Sequence, residues 1–417
     1  MKAIAGRAFA ALQVRNFRLY VASQLVSFAG TWMQSLAQSW LVLELTGSGT
    51  ALGTVLALQF LPTMFLAPVG GMLADRLDKR KVIMVTQSCA GLLALTLGLL
   101  TLSGHVALWM VYLIAAGFGV ITAVDNPARQ VFVMEMVGAD LITNAVTLNS
   151  VTVNSARAIG PAVAGVLIAT LGIGQCFLVN AASYLAVIAA LTLIRKGELH
   201  PTPRATRAPR QLRQGLAYAW TTPTLRTTLV MLAVIGMFLL EFNVTLPLLA
   251  RDTFDVGASG LAAMDVFYGV GAVVGGLTVA AAGKATPYRL IGVAAGAGTS
   301  LVVLAIAPTV LLAYAVLPIV GGTSVAVIAV GNSTLQLNSD PQLRGRVMAL
   351  FSVALMGTTP IGGPVVGWVG EHIDPRAAIL LGGLAGIGAA AFGWMQARQT
   401  EQAAVPMTTG PVPVVGQ

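Results

Sequence analysis

Charge is scarce in this sequence. Of 417 residues, 24 are Lys or Arg and 15 are Asp or Glu, 9% in all, where soluble domains carry about a quarter. With hydrophobic residues at 56% and a mean hydropathy of +0.83, the chain has more apolar surface than one water-exposed core can hide, and a lipid bilayer is its natural solvent. Cysteine and histidine are also rare. Cys89 and Cys176 lie far apart in apolar stretches, and His105, His200 and His372 fall in separate expected loops. A disulfide framework, a structural zinc site and a histidine-based catalytic centre are therefore not expected. No glycine-rich phosphate loop ending in Lys-Ser or Lys-Thr occurs, so neither ATP drive nor a bound cofactor is expected. The net charge of +9 would point to nucleic acid only if it gathered on one polar face. Its placement along the chain gives it another meaning.

What the chain has is long apolar runs. They occupy residues 19–43, 52–74, 82–102, 106–124, 146–170 and 176–194, then 228–250, 261–282, 288–307, 309–330, 346–369 and 377–397, and each has about the length a membrane helix needs. The expected fold is all-α and membrane-embedded, with twelve transmembrane helices. Residues 1–18 form an N-terminal segment whose Lys2, Arg7, Arg15 and Arg18 precede a run too long for a signal-peptide core, so that run is expected to stay as a span. Residues 19–194 are expected to form one six-helix bundle, 195–227 a basic solvated linker, 228–397 a second six-helix bundle, and 398–417 a Pro- and Val-rich tail. With the N-terminus inside, nearly every Lys and Arg falls in a cytoplasmic segment; Arg251 and Arg376 fall outside and Arg157 lies within a span. This is the positive-inside pattern and puts both termini in the cytoplasm. The halves also repeat: Asp125-Asn126, Ala139-Asp140-Leu141 and Gly160-Pro161 match Gly331-Asn332, Asp340-Pro341 and Gly363-Pro364 at similar spacing. The repeat keeps the same topology in each half and is therefore parallel.

The sharpest motif is Gly71-Met72-Leu73-Ala74-Asp75-Arg76-Leu77-Asp78-Lys79-Arg80-Lys81, between spans two and three. Gly71 lets helices approach closely. Asp75 is placed to accept from the first amides of the next helix and to pair with a basic neighbour. The run resembles the G-x-L-a-D-R-x-g-R-K signature of the major facilitator superfamily, in the expected loop of a chain with the expected plan. The resemblance covers residues 15 to 398 or so and implies a transporter, not an enzyme. It also implies that Gly71, Asp75, Arg76 and Arg80 latch the cytoplasmic side when the carrier faces outward. Asp78 stands where the family has a second glycine. Gly160-Pro161-Ala162-Val163-Ala164-Gly165 in span five resembles an element of the exporter branches. A bend is expected there and at its repeat, Gly363-Pro364-Val365-Val366-Gly367, with plain helix packing as the alternative. Asn16-Phe17-Arg18, Gly30-Thr31-Trp32-Met33-Gln34, Asp125-Asn126-Pro127-Ala128-Arg129-Gln130 and residues 154–160 are similar to the branch of bacterial enterobactin, drug and macrolide exporters. Many proton-coupled exporters carry an Arg in span four; here span four lacks one, and Arg157 one helix later stands as a partial substitute.

A charge inside the bilayer is costly and marks function. Glu241 sits near the middle of span seven, where desolvation penalises its charged form. This suits a group that takes up and releases a proton, so Glu241 is the expected principal coupling residue; an acid satisfied by a neighbouring helix is the alternative. Arg157 shares a helical stripe with Ser150, Asn154 and Pro161 and is expected to face the bundle interior, with Asp125 the nearest partner by topology. Asp125, Arg157 and Asp265 are further coupling candidates, although Asp265, near the end of span eight, reads as interfacial. In span one, Gln24, Ser27, Thr31, Gln34 and Gln38 recur every three or four residues and form one polar face, which against lipid would leave amides unpaired. Joined with Tyr112, Met237, Asn243 and Asn332, they outline a mixed polar and apolar substrate cavity; interhelical hydrogen bonding is the alternative for each. The expected protein is a secondary transporter of the bacterial inner membrane that moves a small amphipathic compound, drug- or siderophore-like, outward in exchange for protons. Its partners are then the small-molecule substrate, protons and the lipid bilayer, not nucleic acid, and a monomer suffices. Uptake by the same fold and a non-transporting membrane receptor are the competing readings.

Overall fold

The computed structural model describes residues 9–200, 211–281 and 286–404, and among them every regular element is helical. Lys2, Arg7, Arg204, Arg207, Arg210, Lys284 and residues 405–417 lie outside the described residues. The first half runs α1 (Arg15–Thr46), α2 (Gly49–Arg76), α3 (Lys79–Leu102), α4 (Leu108–Val137), α5 (Ile142–Leu171) and α6 (Ile173–Leu193). Residues expected to be a solvated linker contain a further helix, α7 (Gln211–Thr221). The second half holds α8 (Pro223–Val234), α9 (Phe242–Leu248), α10 (Gly257–Ala281), α11 (Pro287–Ala305), α12 (Val310–Leu337), α13 (Arg344–Met356), α14 (Thr359–His372) and α15 (Pro375–Ala404).

Eleven of these helices or helix pairs are long and apolar enough to cross a membrane. The first, α1, has 32 residues, about 48 Å at 1.5 Å per residue, and falls short in hydropathy because of its Gln, Ser and Thr stripe. Apolar side chains such as Phe65, Leu277 and Leu311 stand exposed, as lipid-facing residues do. Turn chemistry sets the connections. Gly47 ends α1 in a left-handed conformation, φ +64°, and the Ser48 hydroxyl then accepts from Ala51 N at 3.0 Å to cap α2.

Two crossing segments are interrupted. The seventh consists of α8, a wide π-type turn over Ile235–Leu239, a break at Leu240 and Glu241, α9, and a second wide turn over Leu249–Thr253. The eleventh breaks at Gly357 and Thr358 between α13 and α14. The sequence pattern had each as one continuous span.

Packing within the halves follows the parallel repeat. Helix α2 packs on α4 and α3 on α6; correspondingly, α10 packs on α12 and α11 on α15. The halves meet where α2 crosses α14 and α5 crosses α10, again one crossing repeated. Both contacts lie toward the end carrying the 47–48, 172 and 373–374 turns. There a methyl placed on Gly49 would stand 2.5 Å from Gly367 O, and Gly53 faces Gly363 with backbone against backbone, a seam of small residues of the GxxxG kind. Glu371 bridges the same end, accepting from Ser48 Oγ at 2.7 Å and Thr50 N at 2.9 Å. Toward the other end, which bears the basic turns, α13 packs on α7, α8 and α12 of its own half. The molecule is therefore closed at one end by contacts between halves.

Candidate functional site

The polar stripe of α1 turns inward. Gln24, Ser27, Gln34 and Gln38 are buried, and two of them bind neighbouring helices: Gln24 accepts from Arg129 of α4, and Gln34 accepts from Asn180 Nδ2 of α6 at 2.6 Å. Thr31, Gln34, Ser35, Gln38 and Ser39 also line a cavity of about 180 Å³, completed by Gln59 and Phe60 of α2, Phe118, Tyr184 and Asn243. Pro247 explains how Asn243 comes to serve it. Lacking an amide hydrogen, Pro247 leaves the Asn243 carbonyl without its usual partner four residues on, and the Ser39 hydroxyl donates to it at 3.4 Å. This bond ties α9 of the second half to α1 at the cavity wall.

A second cavity, about 40 Å³, adjoins the first through Trp32, Ser35 and Asn243 and holds Arg157, Asp265 and Tyr268. The Arg157 guanidinium lies 4.9 Å from the Trp32 ring and 5.1 Å from the Tyr268 ring, and it donates to Tyr268 Oη at 3.4 Å. Arg157 of the first half thus reaches across to the second, and its acidic neighbour is Asp265. The expected partner, Asp125, is engaged elsewhere. It sits between Arg129, one helical turn on, and the Thr86 hydroxyl and Gln87 amide of α3. Two expectations are corrected by this. Span four does carry an arginine, because α4 continues through Pro127 to Val137 and takes Arg129 into the helix. Asp265 lines an internal cavity and is not interfacial, because the crossing of α5 over α10 covers it.

Glu241 occupies the break in the seventh crossing and is buried. Its backbone carbonyl accepts from Val244 N and Thr245 N to start α9, while its side chain turns to α14, beside Thr359 and within 3.7 Å of where a methyl on Gly363 would sit. Its Oε1 finds no hydrogen-bond partner among the described residues. Glu241 therefore stands behind the cavity wall, next to the seam between halves. Tyr112 stands beside Thr54, the Met237 carbonyl backs onto Gly362, and Asn332 accepts from Gln336. Neither cavity is lined by these three or by Gln24.

At the basic end, Gly71 is buried, Asp75 half-buried and Arg76 exposed. The helix-capping role expected of Asp75 falls to Asp78, whose carboxylate accepts from Arg80 N at 3.0 Å and Lys81 N at 3.3 Å and caps α3. Lys79 pairs with the buried Glu135 at 3.2 Å, and Arg80 donates to Thr192 O at 3.1 Å. In α5, the helix runs unbroken through Pro161; Gly160 packs against α1, where a methyl would stand 2.6 Å from Ala29 O, and Gly165 against Ala262 of α10. Pro364 likewise lies within the continuous helix α14. Of the site residues, sequence reasoning missed Trp32, Ser35, Gln59, Arg129 and Tyr268. Gln59 was findable as a lone amide inside an apolar span; Arg129 was hidden by ending span four at the charged turn.

The family model described as transmembrane secretion effector matches residues 6–415. The chain is 30% identical over 178 residues to the staphyloferrin A transporter of Staphylococcus aureus, covering 42% of this chain and 45% of that protein, so the match spans less than half of that relative. It is 26% identical over 372 residues to the multidrug efflux pump Tap of Mycobacterium tuberculosis, covering 85% and 88%. To the enterobactin exporter EntS of Shigella flexneri it is 25% identical over 313 residues, covering 74% of each. In fold it resembles the crystal structure of the nucleoside transporter NupG, with a TM-score of 0.74 at 14% identity over 92% of this chain and 99% of that one.

Proposed function

This chain belongs to the transmembrane secretion effector family of the major facilitator superfamily, a family of multi-pass membrane transporters, and on that premise we propose that it exports a small amphipathic compound across the bacterial inner membrane in exchange for protons. The observation that carries this reading is a cavity of amides, hydroxyls and aromatic rings beside two halves whose α2–α14 and α5–α10 crossings, among the described residues, lie toward one end. Such a cavity offers a substrate hydrogen bonds and stacking together. Two relatives of drug and siderophore export, by their names, support the direction and a drug- or siderophore-like substrate.

The basic end, where α1 begins and α15 ends, faces the cytoplasm, so substrate enters from the cytoplasm in the state described. Rocking of the halves then closes the basic end and opens the seam end, with Asp75, Arg76 and Arg80 at the closing loops and Gly160-Pro161 and Gly363-Pro364 at the helix crossings that must slide. Protons supply the drive, about 2.3 kcal/mol per charge for each 100 mV. Glu241 is the principal proton site, placed where uptake of a proton acts on the seam and not on the substrate; Asp125 and Asp265 are secondary. A single chain suffices.

The test is transport in liposomes holding the purified protein under an imposed pH gradient. Gradient-driven movement of a drug probe out of the compartment facing the basic end is expected, and Glu241→Gln is expected to abolish the gradient response while keeping exchange without a gradient. Movement in the opposite sense would establish uptake, and unchanged gradient response in Glu241→Gln would remove that residue from the mechanism.

A further inference from the structure

We infer that the small cavity beside Arg157 and Asp265 binds a zwitterionic headgroup, a carboxylate and an ammonium on neighbouring carbons as in an α-amino acid. The inference rests on reading the adjoining chamber as the transport site, and it names the substrate class more closely. Two opposite charges line one cavity of about 40 Å³, close enough to feel each other, yet they form no ion pair at contact distance, and Asp265 takes part in none of the described hydrogen bonds. Arg157 is held in place by Trp32 from one half and Tyr268 from the other, so it does not collapse onto the carboxylate. The result is a fixed pair of charges with a gap between them.

Charge balance decides what fills such a gap. An anion on Arg157 would leave Asp265 facing a second negative charge, and a cation on Asp265 would leave Arg157 in the same position; an uncompensated charge away from water is strongly unfavourable. A neutral ligand satisfies neither. A zwitterion presents its carboxylate to the guanidinium, a charge-assisted pairing, and its ammonium to Asp265, and leaves no charge unanswered. The rest of the ligand extends past Ser35 and Asn243 into the larger chamber, which no charged side chain lines among the described residues. An uncharged, aromatic or hydrogen-bonding body fits there.

Binding to the purified full-length protein, free of any gradient, tests this with four matched probes: L-tryptophan as zwitterion, N-acetyl-L-tryptophan as anion, L-tryptophanamide as cation and tryptophol as the neutral form. L-tryptophan is expected to bind about tenfold or more tighter than each of the others. Asp265→Asn should erase its advantage over the anion, and Arg157→Gln its advantage over the cation. Should one variant fail to fold, the other still reads one side of the pair. Equal binding of the four, an equal drop for all four in either variant, or no binding of any overturns the inference. Charge-selective binding without gradient-driven transport overturns the export reading alone, and export without charge selectivity overturns this one alone.

Discussion

The glycine seam between α2 and α14 can be opened by one methyl group. On Gly53 a side chain would meet the Gly363 backbone, which cannot turn aside as a flexible side chain would. Overpacking of this kind costs about 1–3 kcal/mol, which shifts a two-state equilibrium by about 5- to 150-fold. The neighbouring Glu371 bridge is exposed and common to the wild-type chain and the variant, so it does not offset the added clash. Gly53→Ala is therefore expected to favour the state open at the seam end. The assay is the rate at which a membrane-impermeant maleimide, added from that end, labels a single cysteine at Gln38→Cys in a background with Cys89→Ser and Cys176→Ser. Gly292→Ala on α11 is the control, since a methyl there meets nothing within 4 Å. The rate should rise at least severalfold in Gly53→Ala and stay unchanged in the control. Equal labelling of the two variants would refute the claim that this backbone contact closes the end.

Two further predictions concern the first half. Arg129→Gln strands the buried Asp125 and should cost about 3–5 kcal/mol, read as a fall in the thermal unfolding midpoint; the double variant Asp125→Asn with Arg129→Gln should recover most of it, and no recovery would mean that the pair is not the cause. Asp78→Ala removes the cap of α3 and should cost about 1 kcal/mol, whereas Asp78→Gly should cost only a few tenths; equal losses in the two would show that the carboxylate is not acting as a cap.

The twelve apolar runs were legible because a bilayer imposes length and composition on whatever crosses it, and the repeat was legible because turns such as Asp140 and Asp340 recur at matched places. The family followed from the Gly71–Lys81 run. The failures share a cause: they lie where one helix's needs are met by another. Span four was ended at residue 124 because Asp125 and Arg129 look like loop charges, yet each neutralises the other one turn apart and Gln24 supplies the remaining acceptor. The break at Glu241 has no Gly or Pro directly beside it; Gly236 stands in the wide turn before it and Pro247 in the helix after it, and the hydroxyl that satisfies the Asn243 carbonyl freed by Pro247 comes from Ser39, about two hundred positions away. The partner of Arg157 was likewise unreadable, because it depends on which face of α10 meets α5.

The interruptions are unequally shared between the halves. In the parallel repeat the seventh and eleventh crossings correspond to α1 and α5, and those two run unbroken. In the second half the segments nearer the basic end, α8 and α13, pack on one another, while α9 and α14 pack on α1 and α2 across the interface. Each broken crossing therefore has one part packed within its own half and one part that also reaches the other half. On the proposed mechanism a rocking motion need not bend an unbroken helix, because the regular ladder is already interrupted after Leu240, whose N–H reaches back to Ile235 O, and after Gly357, whose N–H closes the last turn of α13 on Val353 O. Both breaks adjoin the Glu241 side chain, whose neighbour Thr359 opens α14. On the proposed mechanism, a proton gained or lost at that carboxyl changes the charge where the two breaks meet, without a substrate contact having to carry the signal.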